Sequence, residues 1–176
     1  VLRPPERAGP SGQDLHEQLT WHWEAQLRPR LAGLTDVEVH WHPVPDCWSV
    51  VDGRPEGCWP TPVPAPVTTI GWRLAHLGTT LADRASAHFG DRTWVTTVPS
   101  SAVDLLAFVD TAYDAWTTGV LGADEARLTR AHQGPPGTAD QHYPFWSVLL
   151  HVNREVLHHG AEVALLRDLY AHQVHP

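Results

Sequence analysis

The stretch Glu155-Val156-Leu157-His158-His159-Gly160-Ala161-Glu162 sits inside a longer apolar pattern, and its reading decides the fold. Around it, Phe145, Leu149, Val152, Val156, Val163, Leu166 and Tyr170 recur at steps of four and three residues, with one gap. Such alternation marks the buried stripe of a bundle helix. The position that fills the gap between Val156 and Val163 is His159. A histidine in a core seam needs partners for its ring nitrogens, and a metal ion would supply one. Glu155 stands four residues earlier, on the same helical face, about one turn and ~6 Å of rise away. A carboxylate and an imidazole so placed can share one divalent ion.

Working outward, three further amphipathic helices are expected. The first covers residues 12–34, with Leu15, Leu19, Trp23, Leu27 and Leu31 at spacing four and Pro29 as a kink or interruption. Thr35-Asp36-Val37-Glu38 reads as a cap or short turn. The second helix runs from Thr68 to Phe89 on a stripe of Ile70, Leu74, Leu77, Leu81 and Ala85. The third starts at the capping signal Ser101-x-x-Asp104 and carries Leu105, Val109, Ala112, Trp116 and Val120. The last opens at Tyr143-Pro144 and ends near His172, after a Gly/Pro loop at 131–142. Residues 40–66 hold seven prolines, so a long loop or extended flap is expected there, pinned by Trp41, Trp48 and Trp59. No clean period-2 strand is read. The fold class is therefore all-α: a four-helix bundle with a long Pro/Trp-rich loop between helices 1 and 2.

Composition narrows the function classes. A length of 176 residues suits one domain, preceded by a disordered lead-in over 1–11. A net charge of −8 with no arginine cluster argues against a nucleic-acid surface, and no apolar run is long enough to span a membrane. No secretory signal is read at the N-terminus, so a cytoplasmic location is expected, with Cys47 and Cys58 as free thiols. All twelve basic residues are arginine, which fits GC-rich coding. Thirteen histidines and nine tryptophans raise the prior for a metal or ligand site without locating it.

Two segments carry a family likeness. They are Thr69-Ile70-Gly71-Trp72-Arg73-Leu74-Ala75-His76-Leu77 in the second helix and His151 to Arg167 in the last, around Glu155, His158-His159 and Glu162. Their order, spacing and helical setting resemble the DinB/YfiT-like superfamily. Leu31-x-Gly33-Leu34-Thr35-Asp36 and Trp41-x-Pro43-Val44-Pro45-x-Cys47-Trp48 resemble its actinobacterial members. The likeness spans roughly residues 14–170 and makes 12–173 a single DinB-like metal-binding domain. It implies a divalent metal held by one histidine of the second helix and two residues one turn apart on the last. On this chain those are His76, Glu155 and His159. Glutamate in place of the usual first histidine of the pair resembles the mycothiol-dependent maleylpyruvate isomerase branch. The sequence shows no match to that isomerase's dedicated substrate domain, so its particular reaction is not carried over.

The resemblance implies a site with open coordination positions. Zinc is the first choice, and nickel, manganese or iron suit the same donors. Mycothiol is the implied cosubstrate and a small molecule the implied substrate; a homodimer is left open. The expected activity is a metal-dependent, thiol-using transferase or isomerase. The alternatives are a metal-binding stress protein without catalysis and a metal-dependent hydrolase.

Plainer readings stand beside these. His159 can be a satisfied core histidine, His76 a boundary residue bonded to a carbonyl, and Glu155 a surface carboxylate. His151, one turn before Glu155, is the main rival ligand. Glu162 can receive a ring N–H from a neighbouring histidine or be a solvated charge. Trp72 and Trp146 are candidate walls of a ligand pocket, with core packing as the default. Arg73 and Arg154 flank the proposed ligands and are candidates to bind a carboxylate substrate, but residues adjacent on a helix point elsewhere, which weakens that reading.

Overall fold

A computed structural model describes residues 11–58, 60–131 and 143–174. The expected lead-in, save Ser11, and the anchoring role read for Trp59 lie outside the described residues, as does nearly all of the 131–142 loop.

The element order is α1 (Gly12–His22), a π-helical turn (Trp23–Leu27), α2 (Arg28–Arg30), α3 (Asp36–Val39), β1 (Val50–Val51), β2 (Arg54–Pro55), α4 (Ile70–Phe89), α5 (Ala102–Leu121), α6 (Glu125–Thr129) and α7 (Trp146–Val174). The four long helical units, α1 with its π turn, α4, α5 and α7, form the all-α bundle that the periodicities predict. α4 packs on α5 and α7, and α1 packs on α7 and α5. Every apolar position read on the stripes of the first three helices is buried, as are Phe145, just before α7, and Leu149, Val152, Val156 and Val163 on it. Leu166 is partly buried against the same core.

The helix starts follow their caps. Ser11, Thr69 and Ser101 each accept the amide hydrogen of the residue three further on. That satisfies one of the donors a helix start leaves unpaired. The first helix departs from the expected single span. Pro29 has no amide hydrogen, and its ring would crowd the carbonyl of Ala25 in an α-helical register. The chain instead widens, and the Arg28 amide bonds the Trp23 carbonyl five residues back. Pro29 then falls in the first turn of α2, where it is tolerated.

Two short features were not expected. In the proline-rich loop, Asp52 and Gly53 take φ of 50° and 71° and close a two-residue hairpin that pairs Val51 with Arg54. Positive φ at both central residues is what such a turn demands, and Asp-Gly meets it at low cost. α6 is capped by Asp124 and buries Leu128. The hairpin loop is tied to α4: the Trp48 amide bonds Val67 O at 2.9 Å and the Thr69 amide bonds Trp48 O at 2.9 Å. Trp41 packs edge-on against Tyr170, and Trp48 lies tilted against Trp72, so both keep the pinning role read for them.

The turn at Thr35 is a hub. Its box is reciprocal: the Glu38 amide bonds Thr35 Oγ1, and the Thr35 amide bonds Glu38 Oε2. Buried Glu38 also accepts two bonds from Arg167 of α7, at 2.9 and 3.2 Å. Asp36 accepts the Ala102 amide at the start of α5. Three helices are thereby fixed relative to one another at one end of the bundle. No helix among the described residues is long and apolar enough to cross a membrane.

Candidate metal centre

α4 and α7 pack side by side and carry the donor residues. His76 comes from the second turn of α4, and Glu155 and His159 from successive turns of α7. His76 Nε2 lies 3.5 Å and His159 Nε2 3.3 Å from the same atom, Glu155 Oε2. One donor atom from each of the three residues falls within 4.8 Å of the other two. Around an ion with donors at about 2.0–2.1 Å, tetrahedral neighbours stand about 3.3–3.4 Å apart. The two measured separations fit that spacing. Burial is graded: the side chain of His159 is 11% exposed, Glu155 22% and His76 36%, so the group opens toward solvent on the His76 side.

The protonation pattern suits metal ligands. His159 Nδ1 lies 2.6 Å from Glu162 Oε2, a distance at which the ring nitrogen must carry a hydrogen and donate it. In the neutral ring, Nε2 then holds the lone pair. It faces a carboxylate oxygen at 3.3 Å, acceptor against acceptor, an arrangement that a cation between them resolves. Burial pushes the His76 imidazolium's pKa down, and the repulsion between two protonated rings here, His76 and His159, acts the same way against the weaker pull of Glu155. Burial works to raise the Glu155 carboxyl, yet the hydrogen bond from His76 and the charges of His151, His159 and His76 outweigh it and hold the pKa below its ordinary value. A neutral imidazole and an ionised carboxylate are the states in which these groups bind a metal.

The surroundings are aromatic and charged. Trp72 stacks on the His76 ring at 5.2 Å and donates its indole N–H to Glu56 O at 2.7 Å, so the hairpin loop helps hold it. Arg73 reaches across from α4: its Nε lies 3.1 Å from Glu162 Oε2 and its Nη1 3.1 Å from His159 Nδ1. The argument that Arg73 points elsewhere is therefore corrected. Arg73 precedes His76 by three residues and so shares its helical face. Arg154 does point away, and bonds His151 Nδ1 at 2.8 Å. His151 stands 3.7 Å from the other oxygen of Glu155, outside the three-residue group. Trp146 lies nine residues before Glu155, ~14 Å along the helix axis. There it lines a separate groove of about 670 Å³ with Gly12, His16, Val120 and Leu128, so it is not a wall of this site. Cys47 is buried, Cys58 is exposed, and both are free thiols.

The DinB superfamily profile matches residues 18–163. The chain belongs to the DinB superfamily. Comparison with curated proteins and with solved structures found no match. The superfamily is typically metal-binding, and the histidine–glutamate group between α4 and α7 is of the kind that holds an ion.

Proposed function

We propose that this DinB-superfamily protein is a metal-dependent, thiol-using S-transferase or isomerase for a small electrophile, with His76, Glu155 and His159 as its metal ligands. The observation that carries the metal reading is the His159 Nε2 lone pair set 3.3 Å from the Glu155 carboxylate while Nδ1 is committed to Glu162. Zinc is the ion we favour; nickel, manganese and iron accept the same donors. Two imidazoles and one carboxylate leave coordination positions open. A divalent ion held there supplies Lewis acidity, which deprotonates a coordinating thiol or polarises an oxygen substrate.

The chain's own residues do the rest. Glu162 fixes the orientation of His159, and Trp72 offers an aromatic wall beside the more exposed ligand. Glu155 keeps its charge and lowers the net charge of a loaded centre. The thiol half of the proposal rests on Glu155 itself, since glutamate at that place resembles the mycothiol-dependent branch. A second reading, a binding protein without catalysis, draws support from the groove at Trp146, whose lining includes none of the three donors.

The deciding experiment combines elemental analysis of purified protein with turnover assays using mycothiol and a panel of electrophiles, with and without chelator. We expect close to one divalent ion per chain and activity that needs both the ion and the thiol. Turnover that survives chelation rejects the metal reading. Turnover that needs the ion but ignores thiol concentration points to a hydrolase. Bound metal with no turnover across the panel favours the binding protein.

A further inference from the structure

We infer that Arg73 and Glu162 form a positioning pair that presents His159 to the metal group through Nε2 and keeps the ion off its Nδ1 side. The inference rests on the metal reading above. Two groups of ligand type share His159: His76–Glu155–His159, and His158–His159–Glu162, whose donor atoms also lie within 4.8 Å of one another. A neutral imidazole has one lone pair, so it cannot serve both.

The structure decides between them. Two contacts compete for His159 Nδ1: Glu162 Oε2, which can only accept, at 2.6 Å, and Arg73 Nη1, which can only donate, at 3.1 Å; the shorter contact to the carboxylate places the ring hydrogen on Nδ1 and leaves Arg73 as a neighbouring charge. The other oxygen of Glu162 lies 3.3 Å from His158 Nε2. Arg73 is only 17% exposed at its side chain and holds a permanent positive charge against both Glu162 Oε2 and His159 Nδ1, each at 3.1 Å. A metal ion on the Nδ1 side would have to displace that guanidinium or bear its repulsion. α4 therefore delivers both a ligand, His76, and, one turn earlier, the cation that keeps the ion off the Nδ1 side of the shared histidine. A carboxylate on the free ring nitrogen of a ligand histidine fixes its tautomer and typically accounts for ~10–100-fold in metal affinity.

The test uses the full chain and zinc as the probe. In metal-free wild type, ring ¹⁵N shifts should show His159 protonated at Nδ1. Glu162→Ala should lose that preference and bind zinc ~10–100-fold more weakly. Glu162→Gln keeps an acceptor oxygen and should restore the tautomer with an intermediate affinity. A residue that only supports the fold would change thermal stability without moving the tautomer. Arg73→Gln should still bind one zinc ion per chain but let part of it move to the His158–His159–Glu162 side, seen as mixed Nδ1 and Nε2 protonation of zinc-loaded His159, and adding His158→Ala should restore protonation at Nδ1 alone. The pair is overturned by an unchanged tautomer in Glu162→Ala, by zinc-loaded Arg73→Gln still protonated only at Nδ1, or by two ions in wild type. A wild type that binds no zinc overturns the metal reading instead, while the tautomer measurement still tests the pair.

Discussion

Replacing Glu155 by glutamine should have opposite effects on metal binding and on the stability of the metal-free chain. The substitution keeps shape and volume and removes one negative charge. In the metal-free protein at pH 8, where free imidazole is unprotonated, Glu155 Oε2 faces the His159 Nε2 lone pair at 3.3 Å with no hydrogen between them. A glutamine can turn its NH₂ toward Nε2 and convert that confrontation into a hydrogen bond, giving up only the long 3.5 Å contact that the same oxygen makes with His76 Nε2. One such bond is worth about 0.5–1.5 kcal/mol. For a chain of this size, that corresponds to a rise in Tm of about 1–6 °C. Metal affinity moves the other way. Loss of an outer-sphere carboxylate weakens binding ~10–100-fold, and loss of the anionic ligand itself should exceed this range, which means more than about 2.8 kcal/mol. The assays are scanning calorimetry on chelator-treated protein and competition of zinc against a chromophoric chelator. A Glu155→Gln variant that melts lower than wild type without metal refutes the lone-pair argument. It would mean that a proton, and not an absent cation, ordinarily sits between the two groups. Affinity within tenfold of wild type refutes Glu155 as a ligand.

Three further outcomes are expected. His76→Ala and His159→Ala should each lose most of the bound ion while His151→Ala keeps it, as measured by elemental analysis; the reverse ranking would shift the site one turn up α7. Metal binding should weaken with acid, and because burial holds the His76 pKa below 6.5, proton competition there begins below the ordinary imidazole range. The sign for the metal-free fold agrees: lowered folded-state pKa values at His76 and Glu155 give stability that is present at neutral pH and lost as pH falls, first below 6.5 for His76 and then below 4.5 for Glu155, so urea midpoints that rise on acidification would contradict it. Finally, Arg167→Ala should destabilise by about 2–3 kcal/mol, because it leaves Glu38 buried without its two charged donors; an unchanged urea midpoint would show that the turn at Thr35 is not the hub described.

The bundle was legible because each long helix carries a repeating stripe that has to be buried, and periodicity reports burial directly. His159 was legible for the same reason: it is the polar residue at a position the stripe assigns to the core. The features that escaped are those set by single atoms or by long side chains. The π turn follows from one missing hydrogen at Pro29, which the sequence marks only as an interruption. The hairpin did have a signal in Asp52-Gly53, but seven prolines around it outweighed the expectation of strands. Arg73 escaped because helical direction places a Cβ and not the end of a long guanidinium stem. Trp146 was offered as a pocket wall on residue type alone, and distance along α7 separates it from the donors.

The graded burial of the three donors bears on how a ligand reaches them. His159 is enclosed by α7 neighbours and by Arg73 and Glu162, and an incoming molecule meets it last. His76 is the most exposed donor, with Trp72 stacked on its ring and Trp48 tilted against Trp72 at 6.2 Å. The indole of Trp72 is in turn bonded to Glu56, just beyond the hairpin. Approach from the His76 side therefore brings a ligand against aromatic faces held by the proline-rich loop, and the loop's sequence sets the shape of that entry. On the function proposed above, the ion belongs to α4 and α7, and the choice of substrate to the side of the site formed by Trp48 and Trp72. Trp72→Ala should accordingly leave metal affinity near wild type, since the indole donates to Glu56 and to none of the three donors, while changing which electrophiles or thiols are accepted. A comparable loss of zinc in Trp72→Ala would show that stacking on His76 holds the ligand itself, and that the loop and the metal centre are one unit.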